Sequence, residues 1–230
     1  MPISRDEFRS WNDAMAIKYN PDDYHRRSPA LVRWMERRRV RKIVGMLALK
    51  PTERVLEIGC GAGNVLESLG MGTLFGIDLS EALLRIAKTK RYAADCHLLQ
   101  SYGECLPFPD KSFDKVICSE VLEHVPDPEA ICAEISRVLT DNGRFVVSVP
   151  NEKLINSVKR GLLVTGVWPL LSAISGYRFS KNMTDEWHLH EFDKSRLQGL
   201  LGRFFKVGAV AGSPFGPVPL RFVAWCEKAA

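Results

Sequence analysis

The sequence predicts an α/β protein built on a parallel sheet with helices on both faces. Three observations predict it. Between Glu53 and Phe145, short β-rich runs alternate with longer amphipathic ones, and that alternation builds a parallel sheet covered on each side. The 230 residues, 46% of them hydrophobic, suffice for one sizeable core and contain no long linker or low-complexity tract. The stretch VLEIGCGAGNV, Val55 to Val65, sets three glycines at alternate positions behind an apolar run, as a strand turning tightly onto a ligand requires.

Taken in order, the first segment is SPALVRWMERRRVRKIVGMLAL, with Ser28 expected at an N-cap and Pro29 at the first helical position. Val40, Ile43, Val44 and Leu47 share one face, so the helix should pack on the sheet as a cap. Arg33, Arg37, Arg38, Arg39 and Arg41 spread around it and read as a solvated face. RVLEI, TLFGID, CHLLQ, DKVICS and GRFVVSV then read as strands, and SEALLRIAKTKRYA and DPEAICAEISRVL as helices between them. After Val149 the pattern changes: residues 150–186 are irregular and partly apolar, DKSRLQGLL reads as a helix capped by Asp193, and two strands follow near 203–210 and 220–227.

Composition excludes several classes. No run reaches the roughly 18 to 20 uninterrupted apolar residues of a membrane-spanning helix, and MPISRDEFRS has no secretory core; a cytoplasmic protein is expected. The six cysteines form no CxxC pair, so neither a zinc cage nor a disulfide framework is indicated. The net charge of +5 is uneven: residues 1–50 hold 12 Lys and Arg against 6 Asp and Glu, or +6, leaving −1 for the other 180.

A strand ending at Ile58 and followed by Gly59, Gly61 and Gly63 makes a tight turn into a helix, where free backbone N–H groups meet a polar or anionic ligand. The next strand ends in Asp78, whose carboxylate can accept both hydroxyls of a ribose. A dinucleotide fingerprint needs GxGxxG, whereas this spacing is GxGxG, with Asn64 next. Glu57, just before the loop, would repel phosphates and suit an ammonium group. Loop and acid together fit an amino-acid nucleoside such as S-adenosylmethionine.

VLEIGCGAG, GIDLS, GECLPFPDKSFDKVICSEVLEHVPDP and EISRVLTDNGRFVVSVPN occur in an order and spacing that resemble the class I S-adenosylmethionine-dependent methyltransferases, over about residues 53–151. The resemblance implies a Rossmann-like, seven-stranded, mostly parallel sheet with its last strand antiparallel. It divides the single domain into an N-terminal helical cap (1–50), a cofactor-binding core (51–150), a substrate-side insertion (151–192) and a C-terminal helix with strands (193–230). By position it implies that Gly59, Gly61 and Gly63 contact the methionine part, Glu57 its ammonium group, Asp78 the ribose and Leu79 the adenine, with Ser119 at the end of the fourth strand also against the cofactor. Tyr102 stands where many relatives carry an adenine-facing Asp or Asn, which makes Gly103, Glu104 and Cys105 the expected neighbours.

Methyl transfer is an in-line displacement, so the enzyme aligns a nucleophile and removes a proton where needed. Glu120, Glu123 and His124 in SEVLEHV stand at i, i+3 and i+4, and a helical turn would place them on one face. Two carboxylates and an imidazole can hold a divalent metal, and the ubiquinone-pathway O-methyltransferases, which EVLEHVPDP resembles, are reported to use such a group. Local hydrogen bonding and His124 acting as a metal-free base remain open beside the metal. DEWHLHEF adds His188 and His190, each either a base near the acceptor or a partner of loop backbone.

The segment 154–181 carries an apolar run from Gly161 to Gly176, broken by Pro169 and bordered by Lys153, Lys159, Arg160, Arg178 and Lys181. Ordinary core is one reading. The other is an interfacial segment or pocket roof, which implies that the methyl group goes to an O or N atom of a small, hydrophobic, quinone- or lipid-like acceptor, with peripheral membrane contact. Two rivals remain. A nucleic-acid methyltransferase could use the basic N-terminal helix, although SEVLEH replaces the Asn-Pro-Pro-aromatic type motif of base-amino methylation. A nucleotide-binding module or NAD-linked oxidoreductase is the other, weighed against by GxGxG.

Overall fold

A computed structural model describes residues 4–165 and 187–229. Three helices come first: α1 (Arg5–Lys18), α2 (Pro21–Arg27) and α3 (Ala30–Leu47). Then follow β1 (Arg54–Ile58), β2 (Thr73–Asp78), α4 (Glu81–Ala87), β3 (Cys96–Gln100), β4 (Phe113–Ser119), α5 (Pro128–Val138), β5 (Leu139–Pro150) and α6 (Glu152–Val164). Helix α7 (Lys194–Leu201) and strands β6 (Phe205–Pro214) and β7 (Pro219–Lys228) complete the described chain.

The strands form one seven-stranded sheet in the order β3-β2-β1-β4-β5-β7-β6. β1 to β5 pair in parallel, and β7 lies antiparallel between β5 and β6. The Rossmann-like architecture expected from the sequence is therefore present. Because strand order reverses between β1 and β4, the loops leaving their carboxyl ends diverge, and a crevice opens there.

Strand side chains alternate between two cores. Leu56, Val116, Cys118, Phe145 and Val147 face α5 and α7, meeting Ile131, Ile135, Leu197 and Leu201. Val55, Ile117 and Val146 face the other way, onto Val40, Ile43 and Leu47 of α3. Burial on both faces explains why the central strands read as continuous apolar runs.

Several local expectations change. Ser28 caps nothing at the start of α3: it follows α2, extended before Pro29 as residues preceding proline are, and α3 begins at Ala30 without a side-chain cap. The sequence reading missed α1 and α2, although Ser4 and Glu7 form a capping box and Asn20 accepts a hydrogen bond from Asp22 N (2.9 Å) ahead of Pro21. Helix α6 occupies the start of the stretch expected to be irregular, and α4 ends at Ala87, earlier than its pattern suggested. The part of the 154–181 insertion from 166 onward, with Pro169, Arg178 and Lys181, lies outside the described residues. Among the described residues no helix is long and apolar enough to cross a membrane.

Candidate functional site

A cavity of about 280 Å³ sits at the carboxyl ends of β1, β2 and β4, under α1 and α2. Its floor is the glycine turn. Gly59 and Gly61 hold φ of 65° and 52°, the left-handed region that glycine enters without strain. Gly61 N donates to Asp78 Oδ2 (2.7 Å) and Ser80 N to Asp78 Oδ1 (2.8 Å), so the carboxylate ties the turn to the end of β2. A β-carbon on Gly61 would project toward Pro21 of α2, 3.5 Å away. Gly63, expected beside the cofactor, is outside the lining; its bare α-carbon makes room for the Tyr92 hydroxyl, which donates to Ala87 O. The turn also leads into a 3₁₀ turn, Leu66–Ser68, and not into the α-helix expected from the sequence, so no helix dipole reinforces it.

Glu57 lies under the turn, 2% exposed, and its Oε2 has no hydrogen-bond partner. Burial raises its pKa to about 8, against the pull of Arg39. Burial also lifts Asp78 to about 6, opposed by the N–H groups of Ser80 and Gly61. Leu79, Tyr102, Gly103 and Glu104 line the far wall, while Cys105 is exposed and outside the lining. Tyr102 does not present a free side chain: its hydroxyl donates to Arg5 O (3.1 Å) under the Arg5 guanidinium, fastening α1 over the site.

At the other end, charged groups close into a ring. Arg39 donates to Glu36 Oε2 (2.8 Å from Nη2), Glu36 Oε1 pairs with Arg221 Nη2 (3.1 Å), and Arg221 Nε donates to Glu120 Oε2 (2.7 Å). Ser148 Oγ donates to Glu120 Oε1 (2.8 Å) and stands 3.0 Å from Ser119 Oγ, which Arg39 reaches. Arg39 is thus buried at 5% exposure, contrary to the solvated face expected of its helix. Burial opposes ionisation of Glu36, but Arg221 and Arg39 outweigh it and hold its pKa at about 2. Two arginines and two carboxylates balance, which is how such charges survive inside a protein.

The ring corrects the expectation for SEVLEHV. Residues 120–126 form turns, with Glu120 at φ 57°, so no helical face gathers Glu120, Glu123 and His124. Glu120 belongs to the ring. The groups that do converge are Glu123, His124 and His188, whose ligand atoms lie within 4.8 Å of one another. Glu123 is 1% exposed with Oε2 unpartnered, and burial, then Glu120, raises its pKa.

The histidines differ in placement. His124 lines the cavity, packs on Trp187 (4.4 Å between rings) and holds Trp187 O with Nδ1 (3.0 Å). A carbonyl only accepts, so Nδ1 carries hydrogen and Nε2 is the basic nitrogen. His188 Nδ1 meets Glu152 Oε1 outside the lining. His190 is tied to the loop backbone: Nε2 donates to Val125 O (2.9 Å), Nδ1 faces Arg196 (3.4 Å), and its backbone N donates to Glu123 O. Sequence reasoning missed Tyr19, His25, Glu36, Trp187 and Arg221, all of which line the cavity. Only Glu36, three residues before Arg39 on one helix, left a local signal.

Residues 56–147 match the family model described as a methyltransferase domain. The chain is 34% identical over 133 residues to a ubiquinone biosynthesis O-methyltransferase of Thiobacillus denitrificans, covering 55% of this chain and 53% of the relative. It is 35% identical over 115 residues to the 27-O-demethylrifamycin SV methyltransferase of Amycolatopsis mediterranei, covering 46% of this chain and 42% of the relative. The chain thus spans about half the length of the curated relatives it matches. Among solved structures, magnesium protoporphyrin IX methyltransferase from Synechocystis, with bound SAH, superposes with a TM-score of 0.70 at 14% identity, covering 98% of this chain and 100% of that one.

Proposed function

We propose, from the premise that the chain belongs to the class I S-adenosylmethionine-dependent methyltransferases, that it transfers a methyl group to an oxygen of a small, hydrophobic, ring-bearing acceptor. The observation that carries the reading is Glu57, buried beneath a bare glycine turn with its Oε2 unpartnered while the Leu66 backbone N–H bonds its carboxylate. S-adenosylmethionine supplies a methyl group on a sulfonium centre, and its ammonium group is the cation such an orphaned acceptor requires. Gly59 and Gly61 expose backbone toward the methionine part, Asp78 faces the ribose, and Leu79 and Gly103 flank the adenine.

Tyr19, Trp187 and His124 line the acceptor end, and Tyr19 stacks on Trp187 at 6.2 Å. Such walls suit a planar aromatic or quinol ring. The Arg39–Glu36–Arg221–Glu120 ring fixes the wall against which the acceptor lies. His124 Nε2 is the group placed to take the acceptor's proton. The O-methyltransferase names of the relatives support oxygen as the nucleophile.

A second reading gives Glu123, His124 and His188 a divalent metal that lowers the acceptor's pKa. Unpartnered Glu123 Oε2 favours it. Two ligands at roughly 2.1 Å from one ion stand about 3 to 3.4 Å apart, octahedral or tetrahedral, so the three groups would have to draw together. Turnover of labelled S-adenosylmethionine with a quinol and lipid extract tests the main reading, and no labelled product would reject it. Chelation followed by Mg²⁺ or Zn²⁺ add-back separates the two: activity indifferent to both leaves His124 as a metal-free base.

A further inference from the structure

The outer stripe of α3 and the turn joining β6 to β7 present a surface that the site does not use. Leu31 is 65% exposed, Phe215 54% and Val218 53%. They belong to one patch, because the Phe215 ring packs on Trp34 at 5.5 Å and Trp34 lies one turn from Leu31. Farther along the helix come Arg38, on the same stripe, and Arg37 and Arg41 at its edge, where they border a groove that Arg26 and Glu67 also line; all three arginines are exposed. Arg38 lies over the Trp34 ring (5.2 Å) and Arg41 donates to Arg37 O. Among the described residues none of the three pairs with a carboxylate. Between Leu31 and Lys50 Glu36 is the single acid, and it points inward to the buried ring. The turn sequence SPFGPVPLR contains no acid either.

Large apolar side chains projecting more than half into solvent, beside an aromatic and arginines paired with no carboxylate, match a negatively charged interface with an apolar interior. We propose that this surface docks the protein on an anionic lipid membrane, with Leu31, Phe215 and Val218 entering the headgroup region and Arg37, Arg38 and Arg41 meeting phosphates. Nucleic acid would use the arginines alone; exposed aliphatic groups on two separate elements have no role on a phosphate backbone. The inference does not depend on the methyl-transfer reading.

The test is co-sedimentation of the full chain with phosphatidylcholine vesicles, with and without phosphatidylglycerol. Binding is expected to the phosphatidylglycerol vesicles and to weaken as salt shortens the screening length. Leu31→Ser with Phe215→Ser should reduce it by at least about tenfold. Arg37→Glu with Arg41→Glu should abolish the preference for anionic vesicles. Unchanged melting curves are required of both variants; one that unfolds is replaced by Val218→Ser or Arg41→Gln, with the same expected direction. The proposal is overturned if the folded protein stays in the supernatant, if it binds both vesicle types equally, or if Leu31→Ser with Phe215→Ser binds as wild type. Tighter retention by a duplex RNA, indifferent to that pair, would also overturn it and assign the arginines to nucleic acid.

Discussion

At Glu57 binding and stability pull in opposite directions. Burial lifts its pKa to about 8, against about 4.3 in an unfolded chain. Between those values the folded state holds a proton that the unfolded state has lost, so this contribution to stability is complete below about 4.3 and disappears as pH rises through 8. The loss is on the order of a few kcal/mol. Glu57→Gln, uncharged at every pH, is therefore expected to melt above wild type at pH 9 without ligand, and close to it at pH 5. The same substitution should weaken S-adenosylhomocysteine binding about 10- to 100-fold, because the ammonium loses a charged hydrogen-bond partner. Calorimetric titration at both pH values checks the pair, and a variant that binds normally would remove Glu57 from the cofactor site. Gly61→Val should also lose the ligand. At φ 52° a β-branched residue is strained, and its side chain enters the cavity opposite Pro21.

Helix α3 is fixed to the sheet by apolar residues on one face and by Arg39 beside them. Arg39→Leu would leave Glu36 buried with Arg221 and, at 3.7 Å, the His25 imidazole as its close partners, and breaking such a pair costs about 3 to 5 kcal/mol. Denaturant unfolding should show that loss, whereas Arg37→Leu on the exposed stripe of the same helix should stay within about 0.5 kcal/mol. If the two variants unfold alike, the ring does not hold α3. The contrast also marks what the sequence could convey. Strands β1, β2, β4 and β5 were legible because strands buried on both faces read as apolar runs and each ends at a turn residue or an acid. The glycine turn and Asp78 were legible because their chemistry is local. Arg39 and Arg37 look alike in sequence; what separates them is Ser119, Ser148 and Arg221, at separations of 80 residues or more from α3. Glu120 was misplaced for a related reason, since its left-handed backbone follows from bonds to Ser148 and to Arg221, 101 positions away, and not from SEVLEHV itself.

On the scale of the whole molecule, the cavity draws its walls from distant parts of the chain: Phe8, Ala16 and His25 from the first helices, Glu57 to Gly103 from the sheet, and Arg221 from β7. A ligand seated there touches the cap and both halves of the sheet, so its binding energy should stabilise all of them together. Saturation at 100 times the dissociation constant adds about 2.7 kcal/mol, and for a chain of this size each kcal/mol moves the melting temperature by about 2 to 4 °C. S-adenosylhomocysteine is therefore expected to shift a single unfolding transition upward by roughly 5 to 10 °C. NAD should leave it in place, because Glu57 stands where a pyrophosphate would need positive charge or bare N–H groups. Differential scanning calorimetry with each ligand measures both effects. An equal shift with NAD would return the chain to the dinucleotide-binding class. Two transitions, of which only the later responds to S-adenosylhomocysteine, would mean that residues 1–50 unfold apart from the site. Phe8, Ala16 and His25 would then be a detachable cover, and the Arg39 ring would not be coupling that cover to the sheet.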